Sequence, residues 1–137
     1  MFEYLEKRKV WMVYVPLAIY WLILLTATSI PVEKLPSIGI NDKINHFIAY
    51  FVLSVLVNLT LIYQRKSRLL FEKALVATIV ICLFYGAVDE LHQMLVPGRF
   101  AETLDWITDA LGTFTGISIF YFLLNKLKYR LEFKEVR

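Results

Sequence analysis

The chain has 137 residues, of which 58% are hydrophobic and 20% charged, with a formal net charge of +3. A water-soluble domain of this length runs nearer half apolar and about a quarter charged. The mean hydropathy of +0.59 therefore points to lipid as the solvent, and the length leaves no room for a separate soluble catalytic domain. A nucleic-acid surface is excluded too, because the basic residues flank apolar runs and form no stripe between aromatics.

We read residues 1–137 as one all-α, polytopic membrane domain with four spans, since a helix crosses the hydrocarbon with about 20 residues. The first, 10–30, carries no charge and follows Lys7, Arg8 and Lys9. Its apolar core is too long for a signal peptide, despite the small residues Thr26 to Ser29, so it is expected to remain as a span. Pro16 should bend it or free a carbonyl. Pro31 and Pro36 punctuate the loop that follows. The second span, 44–63, holds Asn45, His46, Ser54 and Asn58. The third, 74–96, is apolar until Asp89, contains the lone Cys82, and ends at Pro97-Gly98. The fourth, 104–124, has its carboxylates near the start. Period-two alternation is absent, which excludes a barrel.

Lysine and arginine fix the direction. The N-terminal arm has three, the loop 64–73 has four and the tail has five, against Lys34, Lys43 and Arg99 in the other two loops. Positive residues stay inside, so both termini are expected in the cytoplasm of a bacterial cell, with Tyr63 and Tyr129 at the cytoplasmic ends of the spans.

With that topology, every polar cluster that is not a basic flank gathers at the outer ends of three helices. Positions four apart share a helix face. Asp42, His46 and Tyr50 form one stripe, continued inward by Ser54 and Asn58. Tyr85, Asp89 and Gln93 form a second, with Glu90 beside it, and Asp105, Asp109, Gly112 and Gly116 form a third. The glycine pair lets a neighbouring backbone approach closely, which turns the carboxylates above it toward protein. Asp89, Glu90, Asp105 and Asp109 need compensation by Arg99, Lys43, a proton or a bound cation. Trp106 reads as an interfacial anchor, His92 as a solvated interfacial side chain and Glu102 as a loop charge in water.

The ordered set DKINHFIAY, then DELHQMLVPGRFAETLDWITDALG, resembles the VanZ-like family of small bacterial membrane proteins. The residues that carry the likeness are Asp42, Lys43, His46, Phe47, Tyr50, Asp89, Glu90, Gln93, Pro97, Gly98, Arg99, Asp105, Asp109 and Gly112, and it covers roughly residues 10–125. The family takes its name from a protein associated with resistance to teicoplanin, a lipid-anchored glycopeptide acting at the outer membrane face. The resemblance thus implies an envelope phenotype without a reaction.

Three readings stay open at this point. In the first, an outer pocket binds or modifies a membrane lipid, a lipid-linked cell-wall precursor or the lipoglycopeptide itself. Arg99 and Lys43 would hold phosphate, and Tyr50 and the carboxylates would orient sugar or amine groups. In the second, the chain is an intramembrane enzyme in which His46, Asp89, Glu90, Asp105 and Asp109 supply acid–base groups or ligands for a divalent metal. No metal-binding spacing signature accompanies them, and no cofactor is expected on sequence grounds. In the third, the cluster only pins helices together, with Asp89 paired to Arg99 and Asp42 beside Lys43.

Overall fold

The computed structural model describes residues 7–31, 42–64 and 67–135, with side chains as far as Lys126. Five helices and no strand occur among the described residues: α1 (Val10–Thr28), α2 (Asp42–Tyr63), α3 (Arg68–Glu72), α4 (Ala74–Gln93) and α5 (Thr103–Glu135). All but the short α3 are long and apolar enough to cross a membrane. Pro36 and Lys34, and the basic residues Arg65, Lys66 and Arg137, lie outside the described residues.

Pro16 acts where it stands. It lacks an N–H and its ring crowds the carbonyl one turn back. The chain answers with a π-helical turn over Val10–Tyr14, closed by a bond from the Val15 N–H to the Val10 carbonyl, before the α-helix resumes. At the third span the expected end at residue 96 is three residues too far. Residues 94 and 95 form a turn and 96 a bend, with the Leu95 and Val96 amides bonding back to the His92 and Gln93 carbonyls. Pro97 cannot continue the helix, and Gly98 adopts a positive φ of 78° that reverses the chain toward α5. In the other direction α5 runs past the span to Glu135.

α2 is the centre of the bundle. Its buried positions His46, Tyr50, Leu53, Ser54, Val57, Asn58 and Leu61 recur at three- and four-residue intervals along one side. α5 lies closest to it, for a steric reason. A side-chain carbon on Gly112 would collide with the Phe47 carbonyl, and one on Gly116 with Ser54 Oγ and the Phe51 carbonyl. Small residues permit close contact where lipid offers no hydrophobic drive between helices. α4 completes the core with Thr78, Cys82 and Gly86 buried. Deep in the bundle Asn58 Nδ2 donates to Thr78 Oγ1 at 2.9 Å, and Thr78 in turn donates to the Ala74 carbonyl at 2.7 Å. α1 is peripheral, held by Tyr20 Oη donating to the Ala49 carbonyl at 3.0 Å, with Leu22 and Ile23 exposed as lipid-facing residues are.

Candidate functional site

Three helices bring ionisable groups to one end of the bundle. α2 begins there with Asp42, Lys43 and His46, α4 ends there with Asp89, Glu90 and Gln93, and α5 begins there with Asp105 and Asp109. His46, Tyr50, Asp89, Glu90, Gln93, Asp105 and Asp109 are all buried. The turn-by-turn spacing within each helix aims them inward, and the glycine contact between α2 and α5 sets the distance across which they meet.

At the centre, His46 Nδ1 lies 2.9 Å from Asp109 Oδ1. Glu90 reaches the same point from α4, and one ligand-type atom from each of the three side chains lies within 4.8 Å of the other two. Asp42, His46 and Asp105 form a second such group, with Asp42 exposed. The central carboxylates are only half used. Glu90 Oε2 accepts the Glu102 backbone N–H at 2.8 Å, but Glu90 Oε1 and Asp109 Oδ2 have no partner, nor does the buried Tyr50 hydroxyl. Buried polar atoms are normally hydrogen-bonded, and of those left over among the described residues Glu90 Oε1 and Asp109 Oδ2 are the carboxylate oxygens.

Around this centre the basic groups are engaged. Lys43 Nζ bonds Glu102 Oε2 at 3.1 Å and Asp105 Oδ1 at 3.2 Å. Arg99 donates through Nε to the Ile30 carbonyl, through Nη2 to the Ala27 carbonyl, both at 3.0 Å, and through Nη1 to Gln93 Oε1 at 3.3 Å. It thereby ties the loop after α4 to the end of α1, at the Ala27 carbonyl in its last turn and the Ile30 carbonyl two residues beyond it. Arg99 and Asp89 do not pair. Gln93 stands between them and donates to Asp89 Oδ2 at 3.4 Å.

An open-sided cleft of about 320 Å³ lies beside this centre, between the end of α4 and the start of α5, and shares Glu90 with it. Ala87, Leu91, Ala101 and Trp106 form its apolar walls, and Glu90 and Glu102 line it as well. Glu90 therefore belongs both to the cleft and to the buried set.

The family model VanZ/LLP1 matches residues 5–125, most of the chain and every residue of this cluster. The chain belongs to the VanZ/LLP1 family. Comparison with curated proteins and with solved structures finds no match.

In this VanZ/LLP1 chain the structure gathers every sequence-predicted site residue at one end, though in unequal roles. His46, Glu90 and Asp109 are central, Asp89, Gln93, Asp105, Lys43 and Arg99 surround them, and Asp42 lies exposed at the edge. Three participants differ from expectation. Trp106 also joins two helices, because its indole N–H donates to the Leu83 carbonyl of α4 at 3.0 Å. Glu102 is no free loop charge, since it holds Lys43 with its side chain and Glu90 with its backbone. His92 faces α1, with Nε2 3.0 Å from Ser29 Oγ. Gly86 was not singled out by sequence. A side-chain carbon there would meet Asp109 Oδ2 at 3.1 Å and the Trp106 ring at 3.2 Å. Two spacings carry the signal: Trp106 precedes Asp109 by three residues, and Gly86 precedes Glu90 by four.

Proposed function

We propose that this protein binds the headgroup of a membrane lipid or lipid-linked cell-envelope molecule at the polar end of its bundle, on the outer face of the bacterial cytoplasmic membrane. The observation that carries this reading is the cleft whose wall includes Glu90, a residue that also belongs to the buried group with His46 and Asp109. Its apolar walls suit an acyl or polyprenyl chain lying against the bundle, with the headgroup turned in toward the unpartnered carboxylate oxygens. The excess of basic residues on the other side of the spans supports the outward placement of this end. The family's link with resistance to a lipid-anchored glycopeptide fits a protein working at that surface.

A photoreactive residue placed at Leu91, in the cleft, tests the reading when compared with one at Phe84, which is exposed on the same helix. Cross-linking in cell membranes should enrich one headgroup class at Leu91, and adding Glu90→Ala should remove the enrichment. Equal recovery of bulk lipids at both positions counts against a headgroup site. Orientation has its own test. A cysteine replacing the exposed Ala101 should react with an impermeant reagent in intact cells, and one replacing Glu72 only after permeabilisation.

A further inference from the structure

We propose that His46, Glu90 and Asp109 form a binding site for a divalent transition-metal ion. One nitrogen and two carboxylates from three different helices, all buried, lie within 4.8 Å of one another. Ligands about 2.1 Å from a tetrahedral ion sit about 3.4 Å apart, so rotamer adjustments of an ångström or so close the set around one. The 2.9 Å contact between His46 Nδ1 and Asp109 Oδ1 shows that two of the three already converge.

A second observation is independent of that clustering. Asp109 is fully buried, yet its Oδ2 has no partner, and Glu90 Oε1 has none either. An anionic oxygen removed from water needs a donor or a cation. Above Asp109 Oδ2 the wall is cut back. The space that a side chain on Gly86 would fill is bounded by that oxygen at 3.1 Å and by the ring of Tyr50 at 3.4 Å. The Tyr50 hydroxyl also lacks a partner.

Charge and donor type narrow the ion. Two carboxylates with a neutral imidazole balance a divalent cation, whereas nearby basic groups are engaged elsewhere: Lys43 by Glu102 and Asp105, Arg99 by carbonyls and Gln93. A mixed nitrogen and oxygen set suits Zn²⁺, Mn²⁺ or Fe²⁺ better than Ca²⁺ or Mg²⁺, which take oxygen shells. The neighbouring group of Asp42, His46 and Asp105 is weaker, because Asp42 is exposed and Asp105 already carries the Lys43 ammonium. Three protein ligands leave a fourth position for water or an incoming group. Glu90 also lines the cleft, so the proposed site and the cleft share one wall. This inference rests on the headgroup reading and adds to it a cation that would attract an oxygen-bearing headgroup into a recess otherwise rich in carboxylates.

Full-length protein in nanodiscs, stripped with chelator and titrated calorimetrically with ZnCl₂, should bind one ion per chain. Glu90→Gln and Asp109→Asn should each weaken binding by more than about 100-fold, beyond the loss typical of groups that merely support ligands. His92→Ala, on the α1 side, should leave it unchanged. Should those carboxylate variants fail to fold, the wild type decides alone. Loaded with Co²⁺, its X-ray absorption should show one imidazole nitrogen among oxygen neighbours. Less than one zinc per chain, unchanged affinity in folded carboxylate variants, or a shell without imidazole each overturns the site. Absent zinc binding with the Leu91 headgroup cross-link intact would remove the metal and leave the headgroup reading standing. Zinc binding without that cross-link would do the opposite.

Discussion

The rim and the centre of the polar end are made of the same residue types and behave differently. At the rim, Arg99 spends its guanidinium on the Ala27 and Ile30 carbonyls at and just past the end of α1 and on Gln93, and Lys43 ties the start of α2 to Glu102 and Asp105. Both basic groups there are engaged, and they tie neighbouring elements together. At the centre, His46 and Asp109 are paired, but one oxygen each of Glu90 and Asp109 and the Tyr50 hydroxyl are left over. The difference separates two jobs that sequence alone merges: the rim clamps helices, and the centre holds open a set of acceptors.

Substitutions can break or sharpen that contrast. The largest effect is expected from Gly112→Leu, which drives a side chain into the Phe47 carbonyl and separates α2 from α5, so rim and centre fail together. Overpacking of this kind costs about 3 kcal/mol or more, seen as a lower unfolding temperature in detergent. Arg99→Ala should cost about 2 kcal/mol, the scale of losing charged hydrogen bonds, and should raise hydrogen exchange near the end of α1. Arg99→Lys should recover little, because an ammonium cannot reproduce the guanidinium fork across two carbonyls and an amide.

Glu90→Gln marks the other side of the contrast. Its amide still accepts the Glu102 N–H and brings a donor to a place with surplus acceptors, so stability should change by less than about 1 kcal/mol. Recovery of the headgroup cross-link at Leu91 should nevertheless fall about tenfold, the scale of one lost interaction with a charged group. A large loss of stability in this variant would make the centre a clamp like the rim. The smallest effect belongs to Lys43→Met, whose ion pairs are partly exposed and screened by salt. Its unfolding midpoint should move least of the five, and the shift should vanish at high ionic strength.

Much of the site was legible because the helical period is rigid. Asp42, His46 and Tyr50, or Asp105 and Asp109 with Gly112, share a face whatever else the chain does. Partners were less legible. An Asp89–Arg99 pair is the natural expectation from charge, but Gln93 stands between them, and Arg99 turns instead to carbonyls that only the packing of α1 brings within reach. Trp106 illustrates the same limit. Its position near a helix start suggests the headgroup layer, while the closeness of α4 supplies the Leu83 carbonyl.

The sequence by itself determined four apolar helices and the gathering of their polar residues at one end, because span length is set by bilayer thickness and facing by the turn of the helix. Only the tertiary structure decided which groups meet, which oxygens go unpaired and where a cleft opens. Those depend on distances between helices, fixed here by the glycines of α5 against the backbone of α2, and no spacing along one helix encodes the gap to the next.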